Sequence, residues 1–370
     1  MVDKKIQNNM YLWAAGIVAV TGTVFVLIVA KKILLPFAVA TLVALAFYPI
    51  TKRLEKMHVP RVLANIIVLM IALVVLIGFG VLFSFFARDF AENIPFIKDT
   101  FFSNINELRD WIMFRFGMDL SFLSFENGFS GILSGDSIRQ LFSTAGSALA
   151  QYALLPLYVF LILFYRDKLG KFFLDITPKS YRTSTKNILH DMVRVAPRYI
   201  GGLAIVVSIL MVLNSLGLWV IGVENAIFLG VIAALVNLIP YLGTVLGYLF
   251  VIVVVFATQD PTTAGWVFIL FVIIQFLENN ILTPMITGSQ VKLNPLMTIL
   301  AIVAGGAMWG AVGMFIVIPF LAMLKIVFTH VPELHPFAYL LGSEGETELL
   351  EVKAIKRKIE KKVEKKIAKK

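Results

Sequence analysis

The 370-residue sequence contains no cysteine, which excludes disulfides, thiolate metal sites and thiol nucleophiles. It is also poor in charge. Only 15% of its residues are charged, against about 25% in soluble domains. By contrast 59% are hydrophobic and the mean hydropathy is +0.87, more apolar surface than a water-soluble fold can hide. HExxH, GxSxG, a P-loop and a glycine-rich dinucleotide turn are all missing, so the common hydrolase and nucleotide-dependent classes have no foothold. The apolar runs hold neither Asp nor His, which removes the Ser/His and paired-Asp constellations of an intramembrane protease. His58 and His190 lie in basic connections, and His330 and His335 are five apart rather than the four that puts two ligands on one helix face. No metal or other cofactor is expected.

What remains is a series of long apolar runs, at 11–30, 33–50, 62–86, 145–165, 202–222, 226–257, 264–286 and 296–328. A bilayer core about 30 Å thick takes about 20 apolar residues per helix, so the pattern is that of an all-α, polytopic membrane protein with about eight hydrophobic segments. The first run is too long for a signal-peptide core and is expected to be an uncleaved span. Basic residues stay on the cytoplasmic side. Lys52, Arg53, Lys56 and Arg61 belong inside, as does the stretch 166–198 with eight basic and three acidic residues. Residues 87–144, with eight acidic and five basic, belong outside. Both termini are therefore expected in the cytoplasm, with Lys31 and Lys32 running against the rule.

Two runs, 226–257 and 296–328, would be about 48 to 50 Å long as single helices. Asn237, Pro240 and Gly243 interrupt the first, and Gly305, Gly306, Gly310 and Gly313 the second. Each is expected to be a broken helix or re-entrant hairpin, leaving six full spans. The expected organisation is N-terminal spans over 1–86, an extramembrane amphipathic segment over 87–144, a transport core over 145–330 and a cytoplasmic tail over 331–370. In the extramembrane segment Phe101, Ile105, Leu108, Ile112 and Phe116 recur at helical spacing. Residues 353–370 carry ten basic and two acidic side chains, and Leu349, Val352, Ile355, Ile359, Val363 and Ile367 share one face. That is a basic amphipathic helix suited to anionic lipid head groups, or a solvated tail. No aromatic residue interleaves the charges, so nucleic acid is not an expected partner.

Glu278 is the residue that costs most. It sits inside an apolar run, where a carboxylate costs about 2.5 to 3.5 kcal/mol and marks proton or cation coupling by default. Gln275, Asn279 and Asn280 surround it in sequence, and Pro284 follows. The competing reading is that it only bonds neighbouring helices or is hydrated at the membrane edge. Asn237, Pro240, Tyr241, Gly243 and Gly247 form a second candidate: an amide, freed carbonyls and a hydroxyl to line a path, with glycines for close approach. A packed kink would read the same. Gly305, Gly306, Gly310, Gly313 and Pro319 fit helix packing or a hinge.

Taken in combination, NLIPYLGTVLG from Asn237 to Gly247, QxxENNxLxPxIxG from Gln275 to Gly288, VxLNPL from Val291 with Pro295 inside it, the glycines at 305–313 and Pro319 resemble the autoinducer-2 exporter family of permeases. The resemblance covers nearly the full chain. It implies a multi-pass transporter without its own ATPase, carrying a small solute such as a signalling molecule. The expectation is an ion-coupled exporter, with Glu278 as the coupling site and the Asn237–Gly243 break lining the path. A sodium or proton antiporter, or a non-transporting membrane scaffold or regulator, stands beside it. Homo-oligomers are compatible with either.

Overall fold

The computed structural model describes residues 4–92, 94–116, 154–239, 242–286 and 293–343. Among them helices account for nearly everything, and the lone β-bridge pairs Leu293 with Gly342. The chain is an all-α, multi-pass membrane protein. Four helical stretches, Lys31–Lys56, Lys179–Ile221, Pro261–Ile286 and Pro295–His330, are long and apolar enough to cross a bilayer, and shorter apolar helices accompany them.

In chain order, α1 spans Lys4–Val29, α2 Lys31–Lys56, α3 Arg61–Glu92 and α4 Ile94–Phe116. Then come α5 at Leu155–Ile176, α6 at Arg182–Ile221, α7 at Ala226–Val236 and α8 at Leu242–Thr258. The remainder is α9 at Pro261–Leu277, α10 at Thr283–Ile286, α11 at Pro295–His330 and α12 at His335–Leu341. The helices fold into two compact units that alternate along the chain. One takes residues 1–48, 157–196 and 291–370; the other takes 49–156 and 197–290.

In the first unit, α1 and α2 meet at Ala30 alone. Ala30 N–H donates to Val26 and closes α1, and Leu34 N–H donates to Ala30 and opens α2, each at 2.9 Å, so a single turn residue separates the two helices. The indole of Trp309 donates to the Leu27 carbonyl at 2.9 Å, one turn before that junction. The basic stretch 166–198 is helical for most of its length, as the end of α5 and the start of α6. Long charged side chains are good helix formers, so the apolar run ends there while the helix continues.

α11 is a hairpin, as the glycine array suggested. Gly310 adopts φ 67° and ψ −153°, a conformation that L side chains rarely adopt. A Cβ built on Gly305 would lie 2.6 Å from the Gly313 carbonyl oxygen. Residues eight apart in a straight helix would be about 12 Å distant, so the chain reverses at Gly310. The arms, 295–309 and 311–330, are about 22 and 30 Å long. Asn294 caps the first arm through the Leu296 N–H at 2.9 Å, and its own N–H reaches the Leu341 carbonyl at 2.9 Å. α12 thereby closes the base of the hairpin.

The second unit holds the other hairpin. α7 and α8 are antiparallel arms of about 16 and 25 Å, too short to cross singly. Gly222, with φ 89°, and Asn225, with φ 55°, make the tight turn from α6 into α7. α4 docks on α8: Phe101 packs edge-on against Phe256, centroids 5.7 Å apart, and Asn104 donates to the Phe256 and Gln259 carbonyls at 2.6 and 2.5 Å. That amide satisfies carbonyls orphaned at the end of α8. The amphipathic helix expected in 87–144 is α4 as far as Phe116, and residues 117–144 lie outside the described residues.

Asp260 caps α9, accepting from the Thr263 N–H at 3.0 Å and the Thr263 hydroxyl at 2.7 Å. These bonds favour the ionised form and hold its carboxyl below the usual Asp range. Their contribution is therefore complete above the ordinary Asp pKa and lost as pH falls through the depressed one. Asp260→Ala should cost about 1 kcal/mol, read as a lower melting temperature in detergent at neutral pH. The gap to the parent should close under strong acid.

Candidate functional site

Along α9 the buried residues are Ala264, Val267, Phe271 and Ile274, alternating three and four apart, and the next position of that stripe is Glu278. Trp266, Phe268, Val272, Ile273 and Phe276 take the opposite, exposed faces, where lipid is the natural neighbour. The register thus aims the carboxylate into the unit's core, where Glu278 is 8% exposed. There the helix widens into a single π-turn, Glu278–Leu282. Pro284 supplies a reason. It has no N–H to offer the previous turn, and its ring crowds the carbonyl there, which a wider turn relieves.

Glu278 meets Asn237, at the end of α7, where the hairpin breaks. The Asn237 amide donates to Glu278 Oε1 at 2.9 Å, and its Oδ1 accepts from the Thr244 hydroxyl in the first turn of α8. The break is thus pinned on both sides by one asparagine. Gly243 and Gly247 let α8 come close enough for this. A Cβ on Gly243 would land on the Val236 carbonyl, and one on Gly247 would lie 3.0 Å from the Ala233 oxygen. Glu278 Oε2 is buried and has no hydrogen-bond partner among the described residues.

Tyr248, one turn along α8, stacks on Phe271 of α9 with centroids 4.1 Å apart and planes within 5°. Its hydroxyl lies near Glu278 and within hydrogen-bonding reach of the Asn214 amide of α6. α6, α7, α8 and the end of α9 therefore each contribute to one polar group of Asn214, Asn237, Thr244, Tyr248 and Glu278, in which Tyr248 also packs into the apolar cluster of Leu218, Leu229, Val251, Val255 and Val267. One carboxylate among neutral oxygens suits a proton or a monovalent cation better than a divalent metal, which gathers several carboxylates.

The other residues marked in sequence are distributed differently. Gln275 donates to Asn279 at 3.0 Å, and Asn280 donates to the Phe276 carbonyl at 2.8 Å, so these three amides are used along their own helix. Asn279 and Asn280 are exposed. Pro284 lies in α10, and Pro240 and Tyr241 lie outside the described residues. Pro295, Gly305, Gly306, Gly310, Gly313 and Pro319 belong to the first unit: Pro295 opens the α11 hairpin, Gly310 is its turn, and Gly305 and Gly313 are its contact between arms. Asn214, Thr244 and Tyr248 were not singled out by the sequence. A signal existed for Asn214: it occupies the apolar stripe of Val207, Leu210 and Leu218, where a polar residue is out of place.

Two broken-helix hairpins and a buried carboxylate at one of the breaks are features of a class of protein, the membrane transporters built on discontinuous helices. The chain belongs to the AI-2E transporter family, whose sequence pattern matches residues 16–333. It is 28% identical over 357 residues to the "Putative transport protein YrrI" of Bacillus subtilis, covering 89% of this chain and 98% of that one. It is 22% identical over 303 residues to the AI-2 transport protein TqsA of Escherichia coli, covering 80% and 86%.

Proposed function

We propose that this membrane transporter is an ion-coupled exporter of a small solute, in which Glu278 takes up the proton or cation. The observation that carries the reading is the buried Glu278 carboxylate, with Oε1 held by Asn237 at the hairpin break and Oε2 open. An ionised carboxylate in an apolar core is stable only if paired, so loading a proton or cation removes the largest cost of closing the site. Asn237 bonds Glu278 on one side and Thr244 on the other, so a change in the charge of Glu278 is felt directly by both arms of the hairpin.

The similarity to an AI-2 transport protein supports a small organic solute as cargo. A sodium or proton antiporter running on the same carboxylate is the second reading, supported by the same open oxygen. We further place the chain in the bacterial inner membrane with both termini cytoplasmic. The basic residues flanking the apolar runs support that topology, and the charge of 353–370 suits anionic head groups.

The test is proton and sodium flux into proteoliposomes, parent against Glu278→Gln, which keeps the shape and removes the titratable charge. The expected result is loss of gradient-driven flux by at least tenfold, with the variant still eluting as folded protein. Unchanged flux would remove Glu278 from coupling. Flux that needs an organic solute favours the exporter, and flux without one favours the antiporter.

A further inference from the structure

Helix α5 outlasts the apolar run it begins in. The run closes at Tyr165, and residues 166–176 continue the helix by about 16 Å. Along this extension Tyr165, Leu169, Phe172, Phe173 and Ile176 recur at the spacing of one helical face, and all five are exposed. The Phe172 and Phe173 rings meet edge-on, with centroids 5.7 Å apart. Large apolar side chains gathered into one exposed stripe mark a contact surface, whereas the same residues scattered singly would need no explanation.

The charges around the stripe are unbalanced. Each acid of 166–198 already faces a basic side chain of the chain itself: Asp167 lies 3.9 Å from Arg166, Asp175 3.9 Å from Arg182 and Asp191 3.5 Å from His330. Lys168, Lys171 and Lys179 are exposed and have no acidic partner among the described residues. Lys168 borders the stripe, its Nζ 5.9 Å from the centre of the Tyr165 ring. The occupant of this face must therefore offer apolar and anionic groups together. A second copy of the chain would set the same lysines against these, and the segment 353–370, with ten basic and two acidic side chains, is repelled in the same way. An anionic phospholipid offers both. Its acyl chains take the stripe, and its phosphate takes ammonium groups carried on long apolar stems. We propose that the α5 extension is a binding face for anionic phospholipid, with Leu169, Phe172, Phe173 and Ile176 at the acyl boundary and Lys168, Lys171 and Lys179 at the head groups. This face is separate from the basic tail and does not depend on what the protein transports.

The chain has no cysteine, so Ile176→Cys places a single bimane fluorophore on the full-length protein. The labelled protein is reconstituted in mixed phosphatidylcholine and phosphatidylglycerol, with the acyl chains of one lipid or the other brominated. Bromine quenches only at contact, so the ratio of quenching by the two lipids at equal mole fraction reads which lipid stands at the label. Brominated phosphatidylglycerol should quench at least twofold more than brominated phosphatidylcholine, and Leu169→Cys should report the same preference. In Lys168→Gln/Lys171→Gln/Lys179→Gln the ratio should fall to one while both lipids still quench, because the stripe remains. High salt should lower the ratio in the parent. Val272→Cys, on the exposed face of α9, should give a ratio of one. Quenching by neither lipid at Ile176 would overturn the proposal in favour of water or a protein partner. Equal quenching by both, a preference as large at Val272, or a ratio that survives loss of the three lysines would each overturn the selection of anionic lipid by this face.

Discussion

Gly243→Ala should unfold the α7–α8 hairpin, or leave too little folded protein in detergent to purify. The added methyl would be placed on the Val236 carbonyl oxygen, with the Asn237 Cα only 2.9 Å away. Neither is the tip of a side chain that can swing aside. Both belong to the backbone at the end of α7, so relief requires the arms to separate. Separation pulls Thr244 from Asn237, and with it the geometry that presents the amide to Glu278. Overpacking of this kind costs about 3 kcal/mol or more, a large share of the ~5 to 15 kcal/mol that holds a folded domain together. Gly78→Ala is the matched control. Gly78 lies within α3 and a Cβ there meets nothing within 4 Å, so the same substitution should stabilise by about 0.5 to 1 kcal/mol. Melting temperatures of the two variants should move in opposite directions, and a Gly243→Ala protein as stable as the parent would contradict the close approach of the arms.

The second large effect concerns Asn237. Asn237→Leu removes the donor that holds Glu278 Oε1, and since Oε2 has no partner among the described residues, it leaves the carboxylate buried with no hydrogen bond from them. Removing the hydrogen-bond partner of a buried charged group costs about 1 to 3 kcal/mol or more, whereas replacing both groups by apolar ones can be nearly neutral. The double variant Asn237→Leu/Glu278→Leu should therefore recover most of the stability lost in Asn237→Leu alone. Thermal unfolding of the four members of this cycle measures the coupling directly. Costs that simply add would mean that the two residues do not act on each other. Ion-driven flux should be lost in both variants, so stability and transport part company in the double variant. That separation is the signature of a group kept for function at the expense of the fold.

Much of this arrangement was legible in the sequence because it follows from length and cost. A helix of 36 residues at Pro295–His330 is longer than a bilayer core needs, and glycines in its middle are poor helix formers, so a break there could be anticipated. Glu278 drew notice for the penalty of a carboxylate within an apolar run. Its neighbours in sequence were misleading. Gln275, Asn279 and Asn280 bond along their own helix, while the partner that matters, Asn237, is 41 residues away. Asn214, inside an otherwise apolar stretch, showed only as a polar residue on an apolar stripe, a pattern that packing explains as readily as binding.

The sequence by itself therefore determined the solvent, the helical class, the broken segments and the residue with the costliest burial, because each depends on composition and spacing along one chain. Tertiary structure alone decided which polar groups meet and which are left open. The Asn237 bond to Glu278, the Thr244 clamp and the meeting of Asn214 with the Tyr248 hydroxyl depend on how four helices cross within one unit. Those crossings are close where glycines stand: Gly230, Gly243 and Gly247 admit the backbone of a neighbouring helix, and Gly217 admits the Leu270 side chain.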